Sequence, residues 1–104
     1  MPEEEVFILL VEVGRREGDG LPDDATGAAF LCYAAGRDEK NAVDETVAVL
    51  RQAGLSPLEV ESYGTGSDPD GIEIGEEERA LIARARAENA VIVASVEHFT
   101  EETS

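Results

Sequence analysis

The chain has one cysteine, one histidine, no tryptophan and, at Lys40, a single lysine. A lone cysteine cannot close an internal disulfide, which fits a reducing compartment. A lone imidazole, His98, is a weak anchor for a metal even with Glu97, Glu101 and Glu102 around it. No apolar run approaches the roughly 20 residues a membrane helix needs, so no membrane span is expected. The opening MPEEEVFILLVEV is acidic before its apolar run, whereas a secretory signal starts basic, and a cytoplasmic protein is expected. Positive charge is also scarce. There are 8 basic residues against 24 acidic ones, a net charge of −16. That excludes nucleic acid and anionic membranes as electrostatic partners. It leaves solubility as the plain reading and a cationic partner, a metal ion or a basic protein surface, as the functional one.

The 104 residues suffice for one domain with one core. Its most legible stretch runs from Gly27 to Tyr63. Ala28 to Ala35 is uncharged and bounded by Gly27 and Gly36, as a strand covered on both faces would be. Val43, Val47 and Leu50 then recur at helical spacing, with Asp38 placed to cap the start, Gly54 to end the helix and Pro57 to prevent its continuation. Leu58 to Tyr63 alternates apolar and polar, as a half-exposed strand does. Strand, helix, strand implies a crossover connection.

Before this unit, Val6 to Val13 reads as an interior strand, followed by a polar loop over Gly14 to Thr26. After it, Ile72 to Ile74 suggests a short strand, Glu76 to Glu88 a second helix with acidic first and basic last turns, and Ala90 to Val96 a central strand. Residues 98–104 read as a flexible tail. The expected order is β-β-α-β-(β)-α-β in a single α+β domain spanning residues 1–104. The nearest common architecture is a ferredoxin-like two-layer sandwich, with a mixed four- or five-stranded sheet and two helices on one face. Its βαββαβ core would be Ala28–Val96, with the first strand as an addition.

Helices on one face leave the other face bare, yet three strands are apolar on both sides. Such a patch predicts an interface, most simply a homodimer packed sheet to sheet. Phe7, Leu9, Val11, Phe30, Cys32, Ile92 and Ala94, or the opposite set, would form it.

Four site readings follow. Asp68, Asp70 and Glu77 fall at positions 3, 5 and 12 of a calcium loop counted from Gly66, with Gly71 at the turn, but position 1 lacks a carboxylate and Asp-Pro-Asp-Gly is an ordinary turn signal. Gly64 to Ser67 follows a strand, as phosphate loops do, but no P-loop lysine accompanies it. Cys32 and His98 would have to meet to act as a nucleophile and base, and Cys32 sits mid-strand. Glu12 interrupts an apolar strand, marking either its exposed end or a pocket; with Tyr33 or His98 it could serve an enzyme site enclosed by a dimer. No cofactor is implied. The leading expectation is a non-enzymatic domain that self-associates and binds protein, with a basic partner compatible with its charge. A regulatory domain binding a small ligand or divalent metal through Gly64–Gly75 is the alternative.

Overall fold

The computed structural model describes residues 5–69, 71 and 73–100. Its elements are β1 (Glu5–Gly14), β2 (Ala25–Gly36), α1 (Glu39–Gln52), β3 (Ser56–Thr65), α2 (Glu76–Glu88) and β4 (Val91–Thr100). The protein is α+β, with two helices and a four-stranded sheet in the order β3-β1-β2-β4. Every pairing is antiparallel, so the sheet is not mixed. β2 and β3 do run in the same direction, as their linking helix predicts, but β1 lies between them.

That placement corrects the expected architecture. β1 is central, whereas a ferredoxin-like core of Ala28–Val96 would have added it from outside. β4, expected to be central, is an edge strand, and it continues through His98, Phe99 and Thr100, where the sequence suggested a tail. Ile72 lies outside the described residues, and residues 73–75 form no strand.

The helices lie on opposite faces of the sheet, not on one. Along β1, Leu9, Val11 and Val13 cluster with Ala42 and Leu50 of α1. Val6 and Ile8 point the other way and cluster with Ile82 and Ala85 of α2. A strand flanked by helices on both sides needs both of its faces apolar, which accounts for the surplus of apolar residues in β1 and β2.

Local chemistry builds the α1 face tightly. The Asp38 carboxylate accepts from the Asn41 N–H at 2.8 Å and caps α1. Gly36 lets the helix sit close, since a Cβ there would meet the Ala42 backbone nitrogen at 2.9 Å. Past the helix end, the Leu55 N–H returns to the Leu50 carbonyl. Leu55 then joins the core, as does the half-buried Leu21 from the β1–β2 loop.

That loop is held by one carboxylate. Asp19 is only 8 % exposed. It accepts from the backbone N–H groups of Arg16 at 2.9 Å and Leu21 at 3.0 Å, and from Arg15 Nε at 3.0 Å. The same guanidinium donates to the carbonyls of Pro22 and Ala25. The backbone bond from Arg16, then Arg15 and Leu21, pull the Asp19 carboxyl down to about 2. A loop long for a hairpin is thus an ordered cover over the end of α1, with Gly54 packed against Gly18.

Candidate functional site

The α2 face is covered only in part. The buried stripe of α2 is thin, Ile82 and Ala85, and it sits over the Val6, Ile8 and Tyr33 end of the sheet. Gly66 makes room for it, because a Cβ there would lie 2.6 Å from the Ile82 Cγ2. Beyond α2 the described residues leave a concavity on the other half of this face.

Strand register composes the open half. Directly paired residues of antiparallel strands point to the same side. Glu12 pairs with Glu59 on β3 and with Ala29 on β2, and Ala29 pairs with Glu97 on β4. In the next row Leu10 pairs with Glu61 and Leu31, and Leu31 with Ser95. Two rows across four strands therefore read Glu59, Glu12, Ala29, Glu97 and Glu61, Leu10, Leu31, Ser95. None of these positions is cationic. A concavity of about 300 Å³ lies over Leu10, Ala29 and Leu31, with Tyr63, Gly71, Ser95 and Glu97 at its sides.

The carboxylates interact. Glu12 is raised above its ordinary value, first by a carboxyl–carboxyl hydrogen bond with Glu59, then by partial burial and by the charges of Glu59 and Glu61. The sequence left Glu12 at a strand end or in a pocket. It lies two residues from the end of β1 and beside this groove, and a second carboxyl, more than burial, accounts for its shift. Tyr63 Oη donates to Glu61 Oε2 at 2.9 Å, which pushes the phenol up as well.

A smaller cavity of about 120 Å³ adjoins the groove beneath the first turn of α2. Leu31 and Ser95 line both. Tyr33, Glu77, Glu78, Leu81 and Ala94 complete it. Tyr33 is fully buried, and its hydroxyl is the one buried side-chain polar atom without a hydrogen-bond partner among the described residues. Burial, then the Glu78 charge, raise this phenol. A third cleft of about 230 Å³, between the start of α1 and the end of α2, carries both signs of charge in Arg37 and Glu45.

The residues proposed as an interface do not form one surface. Leu9, Val11 and Cys32 have no exposed area and Phe30 only 8 %. All four are core beneath α1, with half-buried Phe7 beside them, while Ile92 and Ala94 belong to the α2 face. Of the calcium reading, Asp70 lies outside the described residues. Asp68 closes a turn, its N–H bonded to the Thr65 hydroxyl at 3.0 Å. Glu77 lines the small cavity instead. Among the described residues no three histidine, cysteine, aspartate or glutamate side chains are grouped to hold a metal. Cys32 and His98 do not meet: Cys32 pairs with Val93 and His98 with Ala28, four positions along β2, or roughly 13 Å at strand rise. The Cys32 thiol is pushed up to about 12 by burial, which makes it inert as a nucleophile.

Sequence reasoning missed Glu59, Glu61 and Glu97 as a group. The alternation of β3 marked Glu59, Glu61 and Tyr63 as one side of a strand, but only pairing brings that side against Glu12. Among the described residues no helix is long and apolar enough to cross a membrane. No curated protein and no solved structure matches the chain. Over residues 6–100 the sequence matches the family described as a domain of unknown function, DUF8846, and the chain belongs to that family.

Proposed function

We propose that the domain is a non-enzymatic binding module that docks a basic segment of another protein on the open half of its α2 face. The observation that carries this reading is the pair of residue rows in which four carboxylates, Glu12, Glu59, Glu61 and Glu97, border an apolar floor with no cation among them. Lysine and arginine suit such a groove because they lay apolar stems along Leu10 and Leu31 while their heads meet carboxylates. Like charges opposite one another cost stability in a free sheet, and a docked cation relieves that cost. The overall charge of −16 steers such a partner in and repels anionic competitors.

The test is calorimetric titration with a synthetic peptide of alternating lysine and leucine. Binding should weaken steeply with salt, and a Glu12→Gln, Glu61→Gln, Glu97→Gln variant should lose about tenfold or more in affinity. Equal affinity in that variant rejects the reading.

Self-association is a second reading, favoured by the β4 edge. β3 is interrupted by register shifts, Pro57 and paired glutamates, all of which discourage a further strand. β4 has one register shift, at Ala94, but neither proline nor charge from Val91 to Val96, and Val93 and Val96 are 40 % and 42 % exposed. Light scattering over a wide concentration range tests it, and a constant monomer mass rejects it.

A further inference from the structure

We infer that the small cavity beneath the first turn of α2 is a seat for a primary ammonium group, so that the docking groove ends in a lysine side-chain pocket built on Tyr33 and Glu78. The inference rests on the docking reading and adds a specificity site to it. A buried hydroxyl without a partner is costly, and native proteins keep few of them. Tyr33 keeps one at a place where a bound donor would satisfy it. The cavity adjoins the apolar floor through Leu31 and Ser95, so a side chain lying along the groove has a continuous path to it. Leu31 and Leu81 supply walls for a methylene stem, and Glu77 and Glu78 supply counter-charge for its head. The hydroxyl is enclosed, so binding requires the half-buried side chains of Glu78 and Leu81 to move aside.

Two alternatives are weaker on the same residues. An anion would find a hydroxyl donor and a helix start whose Gly75 cap offers no side chain. The helix dipole brings about half a positive charge there. Three carboxylates in the first turn, Glu76, Glu77 and Glu78, outweigh it. A guanidinium is larger and planar, whereas an ammonium is a compact charge no bigger than water and fits a cavity of about 120 Å³ with its stem.

The test is a nuclear magnetic resonance titration with n-pentylammonium chloride at fixed ionic strength, with n-pentanol as the uncharged control. The amine should shift the Tyr33 ring and Glu78 amide signals to saturation, and pentanol should bind more weakly. Tyr33→Phe should keep a dispersed native spectrum and weaken the amine roughly fivefold, the value of one hydrogen bond. Glu78→Gln, at the rim of the cavity, should weaken it by a similar factor. Unchanged amine affinity in both variants, or pentanol binding as well as the amine, overturns the pocket. The lysine–leucine peptide separates the two readings. If it is weakened by the groove substitutions but not by Tyr33→Phe, the docking reading holds and the pocket falls. If the groove substitutions leave the peptide untouched, the docking reading itself fails.

Discussion

The two faces of this sheet share the same four strands and are finished in opposite ways. On the α1 face, the helix sends Ala42, Thr46 and Leu50 into the core, and the β1–β2 loop adds Leu21 to the cover. Even the polar Thr46 is satisfied there, its hydroxyl donating to the Ala42 carbonyl at 2.8 Å. On the α2 face, a helix with two buried residues covers one end of the sheet, leaves one tyrosine hydroxyl unpaired and leaves carboxylates facing one another. The first arrangement minimises unsatisfied groups. The second retains them beside the groove proposed above as a docking surface, and local rules are broken most often at functional sites.

Four substitutions sharpen this contrast. Leu50→Ala should cost about 2–5 kcal/mol, because Leu50 is 2 % exposed and its cavity cannot collapse against the sheet. Leu31→Ala, half-buried on the open face, should cost roughly 1 kcal/mol. Chemical denaturation of both measures the difference, and equal losses would mean the α2 face is no less a core than the other. Asp19→Asn tests the loop side of the α1 face. The Asp19 carboxyl is depressed to about 2 from an ordinary 3.8. Its stabilisation is therefore present above about pH 4 and lost as pH falls toward about 2. The variant should be less stable at neutral pH, lose exchange protection at the Arg16 and Leu21 amides, and show a flatter acid limb in thermal melts. The smallest effect is expected from Glu12→Gln. The carboxyl is raised, so its favourable contribution is present below the ordinary value of 4.5 and fades as pH rises through the raised one. At neutral pH the variant should melt slightly higher than the parent, with the gap closing in acid. A lower melting point would show that the glutamates are not in conflict.

Much of the fold was legible because local chemistry and pattern agreed. Asp38, the Val43 to Leu50 spacing and Gly54 marked α1, and the acidic first and basic last turns marked α2, which ends at Asn89 with a left-handed backbone, φ 51°. The apolar character of both sides of β1 and β2 was also visible, but its cause was misjudged. It signals a helix on each face, and period alone cannot say which face a helix takes. Strand order failed for a related reason: β4 is uncharged from Val91 to Val96, as a central strand would be, yet it lies at an edge. Of the groove only Glu12 stood out, because it interrupts an apolar strand. Glu59 and Glu97 are far from it in sequence and ordinary one by one, and only register assembles the three. Asp19 likewise looked like any loop aspartate until the Arg16 and Leu21 amides and the Arg15 guanidinium were seen together around it.

The order of strands along the chain has a consequence for how the protein assembles. β1 and β2 are neighbours in sequence and form the middle of the sheet, while β3 and β4 are added later at opposite sides. A chain leaving the ribosome therefore makes its central hairpin first, from contacts of short loop closure. α1 and β3 then dock on a surface already formed, and α2 and β4 do the same afterwards. Growth runs from the centre outward, and the two strands that arrive last, β3 and β4, are the two that form the edges of the sheet.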